Sequence, residues 1–191
     1  MTLHPAFSSH FYFSKPAKTL YMLVIPLLLV FFFSTQSAIA NEETTTQLST
    51  EFSVLNESNL SNYVAAVSQQ YYRQVELLHH NFQFYQQKRD PRGFNVWHLK
   101  GFSPEYQAFN TALHDVATNN QKFLAGRSAE ALATIFAELR GVSINLLIAL
   151  RESNLTAYHE AKAVIKEHEA QLATILREHQ LEENIRDVSL D

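Results

Sequence analysis

The chain has 191 residues with no cysteine, four glycines and five prolines. That composition excludes disulfide scaffolds, thiol nucleophiles, Cys-ligated zinc and iron–sulfur clusters, and it does not suit turn-dense β folds or glycine-rich nucleotide loops. Setting aside the first 40 residues, which hold Lys15 and Lys18, the other 151 carry 13 basic against 19 acidic side chains, a net of −6, so no nucleic-acid partner is expected.

Residues 1–19 contain Lys15 and Lys18 and no acid, Leu20 to Phe33 form an apolar run, and Ser34 to Ala40 is a small-residue segment ending Ala38-Ile39-Ala40. This is the charged, apolar and A-x-A pattern of an export leader. It predicts a cleavable signal peptide over residues 1–40, cut between Ala40 and Asn41. Leu20 to Ala40 is also long enough to span a bilayer, so an uncleaved anchor is the alternative, although Ser34 to Ser37 dilute its last third. Residues 41–191 are expected in the periplasm or outside the cell, with membrane contact only through the leader if it is retained.

Residues 41–57 are polar and rich in Thr and Ser, and are read as a flexible tether ahead of a helical domain over 58–191. From about Ser58 to Gln87, apolar residues recur in steps of three and four at Leu60, Val64, Val67, Tyr71, Val75, Leu78, Phe82 and Tyr85, the mark of a long amphipathic helix. Arg89 to Ser103 interrupts this pattern with Pro91, Gly93 and Gly101 and is read as one long loop. Ser103 is expected to cap a second helix with Pro104 at its first position, running through Tyr106, Phe109, Leu113, Val116, Asn120 and Phe123 to a stop at Gly126.

Ser128 is expected to cap a third helix with Leu132, Phe136, Leu139, Leu146 and Leu150 inward and Gly141 in its middle. Ser153-Asn154 is the only break before a fourth helix, whose seam Tyr158, Ala161, Ile165, His168, Leu172, Ile175 and His179 alternates threes and fours. The third and fourth helices could run on as one. Altogether the pattern predicts an all-α antiparallel four-helix bundle with long first and fourth helices and one long loop between helices one and two. Val142 to Leu150 is apolar on more than one face, which predicts either a homodimer or a cover supplied by that loop.

Chemistry-bearing patterns are sparse. No two histidines stand at the i,i+4 spacing that chelates a metal on one helical face, and Glu76-Leu77-Leu78-His79 is a lone ExxH where a di-iron bundle needs two. No metal site or cofactor is therefore expected. The alternative is a bis-His haem bundle with His168 or His179 opposite His79 or His80, or a sensor-type helical domain. No serine lies in a nucleophile motif, so no catalytic residue is expected.

Lys88 to Pro104 is the least ordinary stretch. Arg89, Arg92 and Lys100 alternate with Phe94, Trp97, His98 and Phe102, and Arg92-Gly93-Phe94 and Lys100-Gly101-Phe102 repeat a basic-Gly-aromatic triplet at eight residues. One reading is a lid whose aromatics plug the bundle end. The other is a recognition site formed by Arg89, Arg92, Phe94, Trp97, His98, Lys100 and Phe102. The function expected is a non-enzymatic, exported binding protein for an unidentified envelope protein or small ligand.

Overall fold

A computed structural model describes residues 48–181. The leader, its cleavage residues Ala38, Ala40 and Asn41, the start of the tether and residues 182–191 lie outside the described residues. Among those described, all regular structure is helical: α1 (Leu60–Lys88), α2 (Pro91–Trp97), a π-turn (His98–Phe102), α3 (Ser103–Asn119), α4 (Gln121–Leu124), a 3₁₀ turn (Ser128–Ala131), α5 (Leu132–Glu152) and α6 (Leu155–Glu178). The α5–α6 pair makes the most extensive contact, and α5 also packs on α1, α2 and α3.

The long helices follow the apolar periodicity. Tyr63, Val64, Val67, Tyr71, Val75 and Leu78 of α1 are all buried, as are Leu132, Phe136, Leu139, Val142 and Leu146 of α5 and Ala161, His168, Leu172 and Ile175 of α6. Helices α5 and α6 are separate. Ser153 ends α5 in the left-handed conformation (φ 52°), and the Asn154 side chain caps α6 by accepting from the Ala157 N–H at 3.1 Å. Gly126 also has a left-handed φ of 75°, as a helix stop requires. The segment Ser128–Glu152 is apolar and long enough to cross a membrane by length and composition, yet here much of its apolar surface faces the other helices. Ile144 stays exposed while Leu147, Ile148 and Leu150 are half-buried.

Three expectations are corrected. Arg89 to Ser103 is not a long loop: only Arg89 and Asp90 lie outside a helix between Lys88 and Phe102. Pro91 sits in the first turn of α2, where a missing N–H costs nothing, and the Asp90 carboxylate caps that turn by accepting the Gly93 N–H at 2.8 Å. Neither serine acts as a side-chain cap. Ser103 continues helically out of the π-turn, its N–H bonded to His98 O, and Ser128 opens a 3₁₀ turn.

The third correction concerns the expected tether. Residues 48–51 are helical, and Leu48, Phe52 and Leu55 are buried. Asn120, the polar residue that follows the last turn of α3, holds them: its Oδ1 accepts the Leu55 N–H at 2.7 Å, and its Nδ2 donates to Val116 O at 2.8 Å and Phe52 O at 3.3 Å. A buried amide that bonds two passing backbone groups gains what an apolar residue there would not.

Candidate functional site

Residues 89–102 have two unlike faces. Phe94, His98 and Phe102 follow one another in steps of four and are buried, continuing into buried Tyr106 of α3. Arg92, Val96 and Lys100 form a second four-residue series, offset by two positions, so a helical backbone turns it away from the core. All three are exposed, as is Leu99 beside them; Val96 and Leu99 keep 52 % and 58 % of their surface open to solvent. The triplet repeat thus marks two turns of helix, basic residue outward and Phe inward each time.

The inner face belongs to an aromatic column. Phe82 stacks on Tyr158 (5.4 Å between centroids) and meets Phe94 edge-on (6.1 Å), Phe94 meets Trp97 (5.5 Å), and Trp97 meets Phe102 (6.0 Å). Phe102 stacks on Tyr106 and Tyr106 on Phe136, both at 5.6 Å. Rings at these separations add directional attraction to the area they bury. Trp97 is half-buried and lies against Gly101, where an added Cβ would come within 3.2 Å of the indole. At Gly93 a Cβ would collide with the Asp90 carboxylate and the Tyr85 ring, so α2 sits tightly on the end of α1.

His98 fastens this segment to α5. The Ser143 hydroxyl donates to Arg140 O at 2.8 Å, so the 3.0 Å contact between His98 Nε2 and Ser143 Oγ places the imidazole proton on Nε2. His98 Nδ1 is then a bare acceptor, buried with no hydrogen-bond partner among the described residues. Desolvation accordingly holds the His98 pKa below the ordinary histidine value.

The outer face is electropositive. Lys88, Arg89, Arg92 and Lys100 lie within thirteen residues of sequence against one acid, Asp90, which is engaged in capping α2. Among the described residues none of these four cations forms an ion pair; Lys88 lies over the Phe84 ring at 4.1 Å, and Phe84 is itself 40 % exposed. The structure therefore separates the seven residues singled out from the sequence. Phe94, His98 and Phe102 are core, Trp97 is intermediate, and Arg89, Arg92 and Lys100 are surface. Sequence reasoning passed over Val96 and Leu99, although their spacing from Arg92 marks the face.

A second constellation lies at the α1–α5–α6 contact. His168, 1 % exposed, bonds Tyr71 Oη through Nδ1 at 3.0 Å and Glu138 Oε2 through Nε2 at 2.7 Å. A carboxylate only accepts, so Nε2 donates to Glu138, and Nδ1 shares the second hydrogen bond with the Tyr71 hydroxyl. Both ring nitrogens are thus engaged by side chains, which leaves His168 none for a haem iron. Burial pushes the Tyr71 phenol well above the usual tyrosine range, and its hydrogen bond to His168, itself bonded to Glu138, makes the group a polar staple between three helices. His179 lies 3.5 Å from Ser61 Oγ.

One groove of about 330 Å³ lies elsewhere, between the segment at Leu48 and Phe52 and helices α1 and α3, with Gln69, Gln70, Arg73 and Phe109 in its wall. Its one wall cation, Arg73, is within 3.5 Å of Glu105. Among the described residues no group of three or more His, Asp or Glu is placed to hold a metal ion. No protein-family model, curated protein or solved structure matches the chain.

Proposed function

We propose that the chain is an exported, non-enzymatic binding protein that engages an anionic partner in the cell envelope through the outer face of residues 89–100. In this reading α1, α3, α5 and α6 form an antiparallel four-helix bundle. The segment 91–102 closes one end of that bundle with its aromatic face and presents Arg89, Arg92, Val96, Leu99 and Lys100 outward. The observation that carries the reading is this two-facedness: cations without a carboxylate partner among the described residues and open aliphatic side chains share one face of a segment fixed from behind by Phe94, His98 and Phe102. Exposed apolar groups rimmed by charge mark interaction surfaces, and π-turns recur at functional positions. The signal-peptide pattern of residues 1–40 supports an envelope location.

A photo-crosslinking residue in place of Val96, activated in intact cells, tests the reading. The expected result is an adduct from position 96 and none from the exposed Lys166 position on α6. Equal or absent adducts at the two positions contradict it. A homodimer formed through the same face would appear in this experiment as an adduct of twice the chain mass.

A further inference from the structure

The anionic partner is specified further by what surrounds the cations, and the inference rests on the outer-face reading above. Val96 and Leu99 are aliphatic and more than half exposed, and they stand on the outside of a helical segment. The groove beside Leu48 and Phe52 is lined by other residues. Protein recognition concentrates in aromatic and arginine anchors that fill pockets. Here the aromatic residues of the segment point the other way: Phe94 and Phe102 are buried and Trp97 is half-buried. What remains outward is a pair of aliphatic groups beside Arg89, Arg92 and Lys100, with Lys88 and the part-exposed Phe84 at the adjoining end of α1.

That is the chemistry of an interfacial segment. Aliphatic groups enter the boundary between headgroups and acyl chains while long cationic side chains keep their charge at the phosphates. The charge asymmetry agrees. Residues 88–100 carry a net +3 in a body whose net charge beyond residue 40 is −6, so an anionic surface would orient the molecule with this end toward it and the rest away. We infer that the outer face of residues 88–100 docks the domain on the anionic lipid surface of the membrane, with Val96 and Leu99 at the acyl boundary and Lys88, Arg89, Arg92 and Lys100 at lipid phosphates. This is membrane contact independent of the leader.

Trp97, the only tryptophan in the chain, reports on the contact whether or not the leader is retained. The full chain is mixed with vesicles of phosphatidylglycerol or of phosphatidylcholine, each brominated on the acyl chains close to the headgroup, and Trp97 fluorescence is followed. Bromine quenches only an indole brought to the membrane surface. The expected result is quenching by phosphatidylglycerol and not by phosphatidylcholine, reversed by raising salt on the unaltered protein. The Arg92→Glu/Lys100→Glu variant should need roughly a hundredfold more anionic lipid for the same quenching, and Lys166→Glu should behave as the parent chain. Equal quenching by the two lipids, no quenching by either, or unchanged quenching in the double variant overturns the inference. Where quenching fails but Val96 still crosslinks to an envelope protein, the lipid inference falls and the outer-face reading stands. Where both fail, neither stands.

Discussion

His168 and His98 are both buried on helical seams, and their surroundings differ by one hydrogen bond. His168 spends both ring nitrogens, on Tyr71 of α1 and Glu138 of α5, and so ties three helices at one point. His98 spends one, on Ser143, and leaves Nδ1 buried and bare. A buried polar group stabilises only to the extent that its partners are present, and an orphan acceptor forfeits its hydration. The α1–α5–α6 contact is therefore locked by polar bonds as well as packing, whereas residues 91–102 are held chiefly by their aromatic face. The less tightly locked region is the one that carries the open basic face.

Replacing His168 should produce the largest effect. His168→Leu leaves the Tyr71 hydroxyl buried without its partner and Glu138 without its donor, a loss of about 3 kcal/mol, measurable by urea denaturation. Tyr71→Phe in the same background should then cost little, because its hydroxyl has already lost its partner; additive costs would show that the two residues do not act as a unit.

The second comparison separates the faces of the π-turn region. Trp97→Ala removes a half-buried ring from the column and should cost about 2 kcal/mol, while Arg92→Ala should stay within about 0.5 kcal/mol as an unpaired surface change. Thermal melts of the two proteins decide this. Similar shifts in both would mean that the outer face is structural.

Gly141 supplies a smaller, stabilising effect. It lies exposed within continuous α5 helix, and an added Cβ would meet no atom within 4 Å, so Gly141→Ala should raise stability by about 0.5–1 kcal/mol.

The effect of His98 at neutral pH is also small, and its acid dependence sharpens the contrast. Desolvation lowers its folded-state pKa below the unfolded value of 6.5, so the folded chain binds fewer protons. The corresponding stability is present above 6.5, and it is lost as the pH falls from there through the folded-state pKa. His79 shifts in the same direction, through partial burial and then the nearby Lys162 and His80. His98→Leu should change stability by less than about 1 kcal/mol at pH 7 and flatten the fall between pH 7 and pH 5. An unchanged pH profile would show that His98 is not the group that titrates.

The long helices were legible because their apolar residues repeat over many turns; α1 and α6 begin and end within two or three residues of the positions expected from that repeat. Residues 91–102 were misread because Pro91, Gly93, Gly101 and Pro104 are breakers in isolation, although a proline in a first turn fits a helix. The eight-residue triplet repeat carried the correct periodicity. Leu48, Phe52 and Leu55 also stood at steps of four and three, hidden by the surrounding Thr and Ser. Partners brought from distant helices were not legible: Tyr71 precedes His168 by 97 positions and Glu138 precedes it by 30, and no local pattern joins them.

In the proposed reading the outer face of residues 88–100 recognises and the inner face supports. The most direct measurement is the Arg92→Glu/Lys100→Glu variant carrying the crosslinker at position 96, with melting temperature and adduct yield read on the same preparation. The melting temperature is expected within about 2 °C of the parent, as for surface substitutions of this kind, together with loss of the adduct. An adduct undiminished at a preserved melting temperature would contradict it.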